Sequence, residues 1–141
     1  TLLNRNMSAR SKTVIAWLCR IIAAVIMLQT LFFKFTAAPE SVYIFSALGM
    51  EPWGRIGTGI LELTASVLIL LPAATVYGAV LGLGLMGGAL FFHFTRLGIV
   101  VQDDSGQLFI YAFLVFISCL VLLMLYKEQA IRLLTIFKRS K

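Results

Sequence analysis

From Ile56 to Thr95 the chain carries one charged side chain, Glu62, and from Gln107 to Tyr126 it carries none. Apolar stretches of that length have no place in a water-soluble domain, because a helix that is hydrophobic all round needs an apolar environment on every face. Composition agrees: 60% of the 141 residues are hydrophobic and 13% charged, where soluble domains are roughly half apolar and a quarter charged. A disordered chain is excluded, and so is a soluble enzyme with a fully solvated surface. At about 20 residues per crossing, four membrane helices fit the length comfortably and five are crowded.

The net charge of +6 is a matter of position. Arg5, Arg10, Lys12 and Arg20 open the chain without an acid, and Lys127, Arg132, Lys138, Arg139 and Lys141 close it against Glu128 alone. Between them Lys34, Arg55 and Arg96 face Glu40, Glu51, Glu62, Asp103 and Asp104. Basic ends around a mildly acidic middle are the positive-inside pattern of a chain whose N and C termini are both cytoplasmic. Membrane lipids are then the expected partners, and no nucleic acid is expected. The basic start runs into an apolar segment with no small-residue cleavage site, so the first helix is expected to stay as a crossing.

The expected fold is all-α, a single transmembrane domain over 1–141 built as an integral membrane four-helix bundle. Crossings are expected at about 13–35, 55–71, 75–97 and 107–126, with a short interfacial helix at about 40–48 in the first outer loop. Pro39, Gly49 and Pro52 break the region after the first crossing too often for another span. Its short helix should turn Val42, Phe45 and Leu48 inward and leave Tyr43 at a headgroup boundary. Either it is a flap over a cavity between the helices or a plain cap on the membrane surface. The third crossing holds two glycine pairs at helical spacing, Gly78 with Gly82 and Gly84 with Gly88, where neighbouring backbones are expected to meet. Arg20, about two turns from the inner end of the first crossing, is expected to snorkel toward phosphate.

With the crossings alternating in direction, Lys34, Glu62 and His93 fall in one half of the membrane, the outer one, with Gln29 at the depth of Glu62. An unpaired lysine or glutamate in lipid is costly, so an inward Lys34–Glu62 pair is expected, extended by His93, Gln29 or ordered water. Three readings of this cluster stand side by side. It is a structural network that fixes helix order, or a cavity for a small amphiphile or quinone near Tyr43 or Trp53. Or it is a chemical site in which Glu62 or His93 moves a proton while Lys34 or Arg96 stabilises negative charge. A metal centre is not expected, because His93 and Glu62 are only two ligands and Lys34 repels a cation beside them. Cys19 and Cys119 lie in the opposite half without a redox or metal-ligand spacing and read as packing thiols.

Four pieces of sequence occur in a telling order: Leu31-Phe32-Phe33-Lys34-Phe35, then Phe45 to Gly49 with Pro52-Trp53, then Gly59-Ile60-Leu61-Glu62, then Met86-Gly87-Gly88-Ala89 before His93. In this the chain resembles the DoxX-like family of small four-helix bacterial inner-membrane proteins. The resemblance implies a multi-pass inner-membrane protein and points to Lys34, Glu62 and His93 as the polar positions matching the family pattern. It also implies accessory roles, since named members of the wider family look like subunits of quinone-linked sulfur oxidation or partners in membrane redox and stress systems. It supplies no reaction for this chain, which has neither a soluble redox domain nor a cysteine motif, and no catalytic residue is singled out.

The resulting expectation is a small membrane binding or accessory protein with a polar site made by Lys34, Glu62 and His93, and with Gln29, Arg96 and Trp53 as further contributors. Its ligand would be lipid-like or quinone-like, and its protein partner a membrane redox protein or a second copy of the chain. The alternatives are an accessory subunit of a quinone-linked membrane oxidoreductase and a purely structural interaction subunit. A transporter is disfavoured by the small number of helices and the lack of an internal repeat.

Overall fold

The computed structural model describes residues 5–140, and all regular structure among them is helical. The elements are α1 (Ala9–Phe35), α2 (Pro39–Ala47), α3 (Trp53–Leu70), α4 (Thr75–Phe92), a π-helical turn (His93–Leu97) that prolongs α4, α5 (Gln107–Leu125) and α6 (Lys127–Arg139). Four stretches are long and apolar enough to cross a membrane: α1, α3, α4 with its π turn, and α5. The chain is a small multi-pass membrane protein. Helix α1 starts a turn ahead of the apolar run because the Ser8 side chain accepts from the Ser11 amide and caps it.

The long helices close a ring in which α1 packs on α3 and α5, and α4 packs on the same two. Small and medium side chains fill the centre: Ala23 and Met27 of α1, Ala65 and Ile69 of α3, Ala79 of α4, and Val115 and Cys119 of α5. Large apolar side chains such as Val25, Phe32, Ile60, Val80 and Phe113 point outward, the reverse of a soluble bundle and the surface that lipid tails require. With lipid outside, hydrophobicity does little to press one helix on another, and close backbone approach takes its place.

Gly78 provides that approach between α4 and α3. A Cβ there would stand 2.5 Å from the Ile69 backbone nitrogen and 2.8 Å from the Ala65 carbonyl oxygen. Gly82 is similarly filled in by Cys119 of α5, whose Sγ would lie 2.8 Å from an added Cβ. The second glycine pair does something else. Around Gly84 and Gly88 nothing lies within 4 Å of an added Cβ, and both border a cavity, so they make space where a helix contact was expected.

One further expectation is corrected, and another, the inward face of α2, holds for Phe45 and Leu48, which border the same cavity, but not for Val42. Arg20 does not snorkel: it is 3% exposed, because it faces the end of α5, where an Nη donates to the Tyr126 hydroxyl at 2.9 Å and the guanidinium sits 4.6 Å from the Trp17 ring centroid. Aromatic faces and a hydroxyl take part of the place of phosphate, while Nε is buried without a hydrogen-bond partner among the described residues. In α2, Ser41 and Phe45 are buried while Val42 and Leu48 are only partly so. Gly49, at φ +69, ends the segment in a conformation that suits glycine. Helix α2 rests on α1, α3 and the π turn and so covers one end of the bundle.

Substituting Gly78 by Ala is expected to cost about 1–3 kcal/mol, since two backbones would have to part. The same change at Gly84 is expected to be neutral or mildly stabilising, as it adds helix propensity in open space. Thermal unfolding of both variants in one detergent compares them directly, and equal midpoints would remove Gly78 from its role.

Candidate functional site

Under α2 lies a cavity of about 640 Å³. Helix α1 lines it with the stripe Ile26, Thr30, Phe33, Lys34; α3 with Thr58 and Glu62, one turn apart; α4 with Leu85, Ala89 and Phe92; and α5 with Leu108, Tyr111 and Ala112. The side walls are mostly aliphatic and aromatic, and the polar groups converge from α1, α3 and the π turn.

At its polar wall the Lys34 ammonium donates to both oxygens of Glu62, at 2.9 and 3.2 Å. The two side chains are 14% and 7% exposed. Thr30, one turn before Lys34 on the same face, accepts from the ammonium at 3.1 Å and donates to Glu62 Oε2 at 2.9 Å. The pair is thus extended by Thr30, while His93 and Gln29 make no hydrogen bond to it among the described residues. A second pair backs the first. Arg55 holds the Glu51 carboxylate through Nε and Nη, at 2.8 Å for the closest contacts, and its other Nη donates to the carbonyl of Lys34. That carbonyl lies in the last turn of α1, where no amide further along the helix can serve it. Glu51, Arg55, the end of α1, Lys34, Glu62 and Thr30 therefore form one connected, internally neutral network joining α1 to α3.

His93 is 6% exposed and opens the π turn, a helix irregularity that often accompanies functional sites. Its Nδ1 lies 2.7 Å from the Gly98 carbonyl. A carbonyl can only accept, so Nδ1 carries a proton, which in the uncharged tautomer leaves Nε2 as the acceptor. Gly98 reaches this position at φ +76, which disfavours any other residue there. The imidazole packs edge-to-face on Phe109, with ring centroids 5.6 Å apart. On α5 the Gln107 amide donates to the Tyr111 hydroxyl at 2.6 Å, which leaves the phenolic proton for the cavity.

The six residues singled out from sequence thus have different places. Lys34, Glu62 and His93 all line the cavity, and so does the more exposed Gln29. Arg96 and Trp53 do not: Arg96 is exposed on the π turn, and Trp53, 65% exposed, is turned outward at the start of α3. Thr30, Arg55, Glu51 and Tyr111 were missed. Two of them carried a signal in their spacing, Thr30 four residues before Lys34 and Glu51 four before Arg55, where helical side chains meet. Among the described residues no group of three or more His, Cys, Asp and Glu gathers as metal ligands would.

Asp104 shapes the remaining wall. Its Oδ1 accepts from the amides of Val101 and Gly106, and its Oδ2 accepts from Leu108 in the first turn of α5. Partial burial pushes its carboxyl upward, but the amides of Val101, Leu108 and Gly106, with the nearby His93, outweigh this and hold it below the ordinary carboxylate range. Because the folded pKa is lowered, the ionised cap contributes its stability in full above the unfolded value and loses it as pH falls through the folded one. Asp104→Asn should therefore melt below the parent at neutral pH, with the gap narrowing as pH falls below about 4; a gap independent of pH would contradict this.

The Lys34–Glu62 pair makes a sharper demand. Glu62→Gln alone leaves a buried ammonium without its counter-ion and is expected to cost about 3 kcal/mol. Adding Lys34→Met to Glu62→Gln should restore most of that loss. Denaturation of the parent, both single variants and the double variant measures the coupling, and additive losses would mean that the two groups do not depend on each other.

Comparison with known proteins adds one firm finding. No curated protein and no solved structure matches the chain. The sequence profile of the DoxX-like family matches residues 18–125, a stretch from the third turn of α1 to the last residue of α5 that contains the whole cavity. With the greater part of its length matched, the chain belongs to the DoxX-like family.

Proposed function

We propose that this protein binds a small amphipathic molecule without an anionic head, quinone-like or lipid-like, in the cavity beneath α2, and serves as a binding or accessory component of the membrane. The observation that carries the reading is the cavity itself: about 640 Å³ of mainly apolar lining with a few convergent polar groups, the usual character of a ligand site. The lack of side chains at Gly84 and Gly88 supports it, because these positions keep the space open.

The charge balance selects the head of the ligand. Lys34 is taken by Glu62, Arg55 by Glu51, and Asp104 by three backbone amides. An anionic head finds no uncommitted base among these groups and meets Glu40, which also borders the cavity, whereas carbonyl or hydroxyl oxygens can bond to what remains. His93 Nε2 accepts, the Tyr111 hydroxyl donates, and Gln29 does either. From the basic residues at both ends of the sequence we place the termini in the cytoplasm of a bacterial cell and the cavity in the outer half of the inner membrane. The mutual satisfaction of Lys34 and Glu62 favours a second reading, a purely structural network, and the two differ in whether anything occupies the cavity.

Gly88→Leu discriminates between them, since the added side chain enters open space and leaves the polar network untouched. Protein purified in mild detergent would be extracted and its bound lipids and quinones identified by mass spectrometry, and a short-chain quinone titrated against intrinsic tryptophan fluorescence. Expected are a molecule enriched over bulk lipid in the parent, its loss in Gly88→Leu, and roughly 10-fold weaker quinone binding when Tyr111, whose hydroxyl proton is the donor a quinone carbonyl needs, is replaced by Phe, the effect of one lost polar contact. Identical bound content in parent and Gly88→Leu, with no quinone titration in either, would sink the proposal and leave the structural reading.

A further inference from the structure

Helix α6 has no buried residue. It begins one residue after α5 ends, and the residue between them, Tyr126, is tied to the start of α1: its hydroxyl accepts from Arg20, and the Lys12 ammonium stands 5.4 Å from its ring centroid. The root of α6 is therefore fixed at the end of the membrane-spanning bundle where Arg10 and Lys12 also lie.

Around the helix axis Ala130, Leu133, Leu134 and Phe137 follow the i, i+3, i+4, i+7 spacing of a single face, with Ile131 toward its edge. Leu134 and Phe137 are 68% and 70% exposed, so nothing within the described structure covers that face. Lys127 and Lys138 fall between Leu134 and Ile131, where their stems extend the apolar surface while the ammonium groups reach outward. Thr135, Glu128, Arg132 and Arg139 occupy the other side. Four bases stand against Glu128, and the adjoining start of α1 adds Arg10 and Lys12 without an acid.

We propose that α6 lies on the membrane surface at the basic end of the bundle and binds anionic phospholipid headgroups there, with Leu133, Leu134 and Phe137 entering the headgroup–acyl boundary. Two features select a lipid surface over another protein. The helix is rooted directly at the end of a spanning helix, so its apolar face starts at headgroup level. Its charge excess complements a negatively charged leaflet, and bases beside an apolar face are the composition that such a leaflet holds.

The test uses the full chain in vesicles. In a Cys19→Ala, Cys119→Ala background, Leu134→Cys and Thr135→Cys are each labelled with an environment-sensitive fluorophore. The samples are reconstituted in phosphatidylcholine alone or with phosphatidylglycerol, and quenching by spin-labelled lipid is measured. With phosphatidylglycerol, the probe at 134 should be quenched severalfold more than the probe at 135. That difference should shrink in phosphatidylcholine, at high salt, and in a variant with Lys127, Arg132, Lys138 and Arg139 all changed to Gln. Should that variant fail to fold, the salt series on the parent decides. Equal quenching with and without phosphatidylglycerol would overturn the proposal. So would a probe at 134 that stays in water throughout, or quenching that changes with protein density, which would assign the face to a second copy of the chain.

Discussion

A helix in lipid gains nothing by hiding leucine against leucine, so the order of α1, α3, α4 and α5 depends on contacts that lipid cannot offer: backbone against backbone, and polar group against polar group. The structure has both, in different places. Gly78 brings α4 onto the backbone of α3. Helix α1 is held by polar contacts at its two ends, to the end of α5 through Arg20 and Tyr126 and to α3 through Lys34, Thr30 and Glu62. Near α2 no comparable contact joins α1 to α5 among the described residues, and there the two helices line the cavity together. The cavity follows from where the polar ties are, since they draw α1 toward α5 at one end and toward α3 at the other.

The number of long apolar helices and the pairing of Lys34 with Glu62 were legible in the sequence because both follow from cost: uncharged runs need lipid, and a charge within such a run needs a partner. What was not legible depended on rotation about the helix axis, which depth alone does not give. Arg20 at that depth is equally able to reach headgroups or to turn inward, and Tyr126 and Trp17 decided the matter. Gly84 and Gly88 have the same spacing as Gly78 and Gly82, yet they face the cavity and not a neighbouring backbone. Arg55 read as a boundary residue because its acceptor, the Lys34 carbonyl, is a backbone atom with no signature in sequence. Trp53 and Arg96 have a suitable depth but the wrong azimuth.

The lining groups differ in how much bonding capacity they keep. Asp104 spends its carboxylate on Val101, Gly106 and Leu108, and that shapes the loop from Gly98 to Gly106 while adding no free acid to the cavity. His93 spends one nitrogen on Gly98 and keeps the other. Tyr111 accepts from Gln107 and keeps its proton. The groups that keep bonding capacity are His93 on the π turn, Tyr111 on α5 and Gln29 on α1, so a molecule in the cavity meets the committed Lys34–Glu62 pair beside open hydrogen-bonding positions.

Lys34 sits where these constraints meet. Its ammonium serves Glu62 and Thr30, and its carbonyl serves Arg55, so the same residue closes α1 and neutralises α3. A ligand that drew the ammonium into the cavity would leave the Glu62 carboxylate buried with a threonine hydroxyl as its one side-chain donor among the described residues, and in low dielectric that separation costs more than a single new hydrogen bond returns. A ligand that bonds to the intact pair as a dipole avoids the cost. On the proposed reading an anionic head is therefore disfavoured, although a lysine stands in the wall, because the lysine is already committed to the fold.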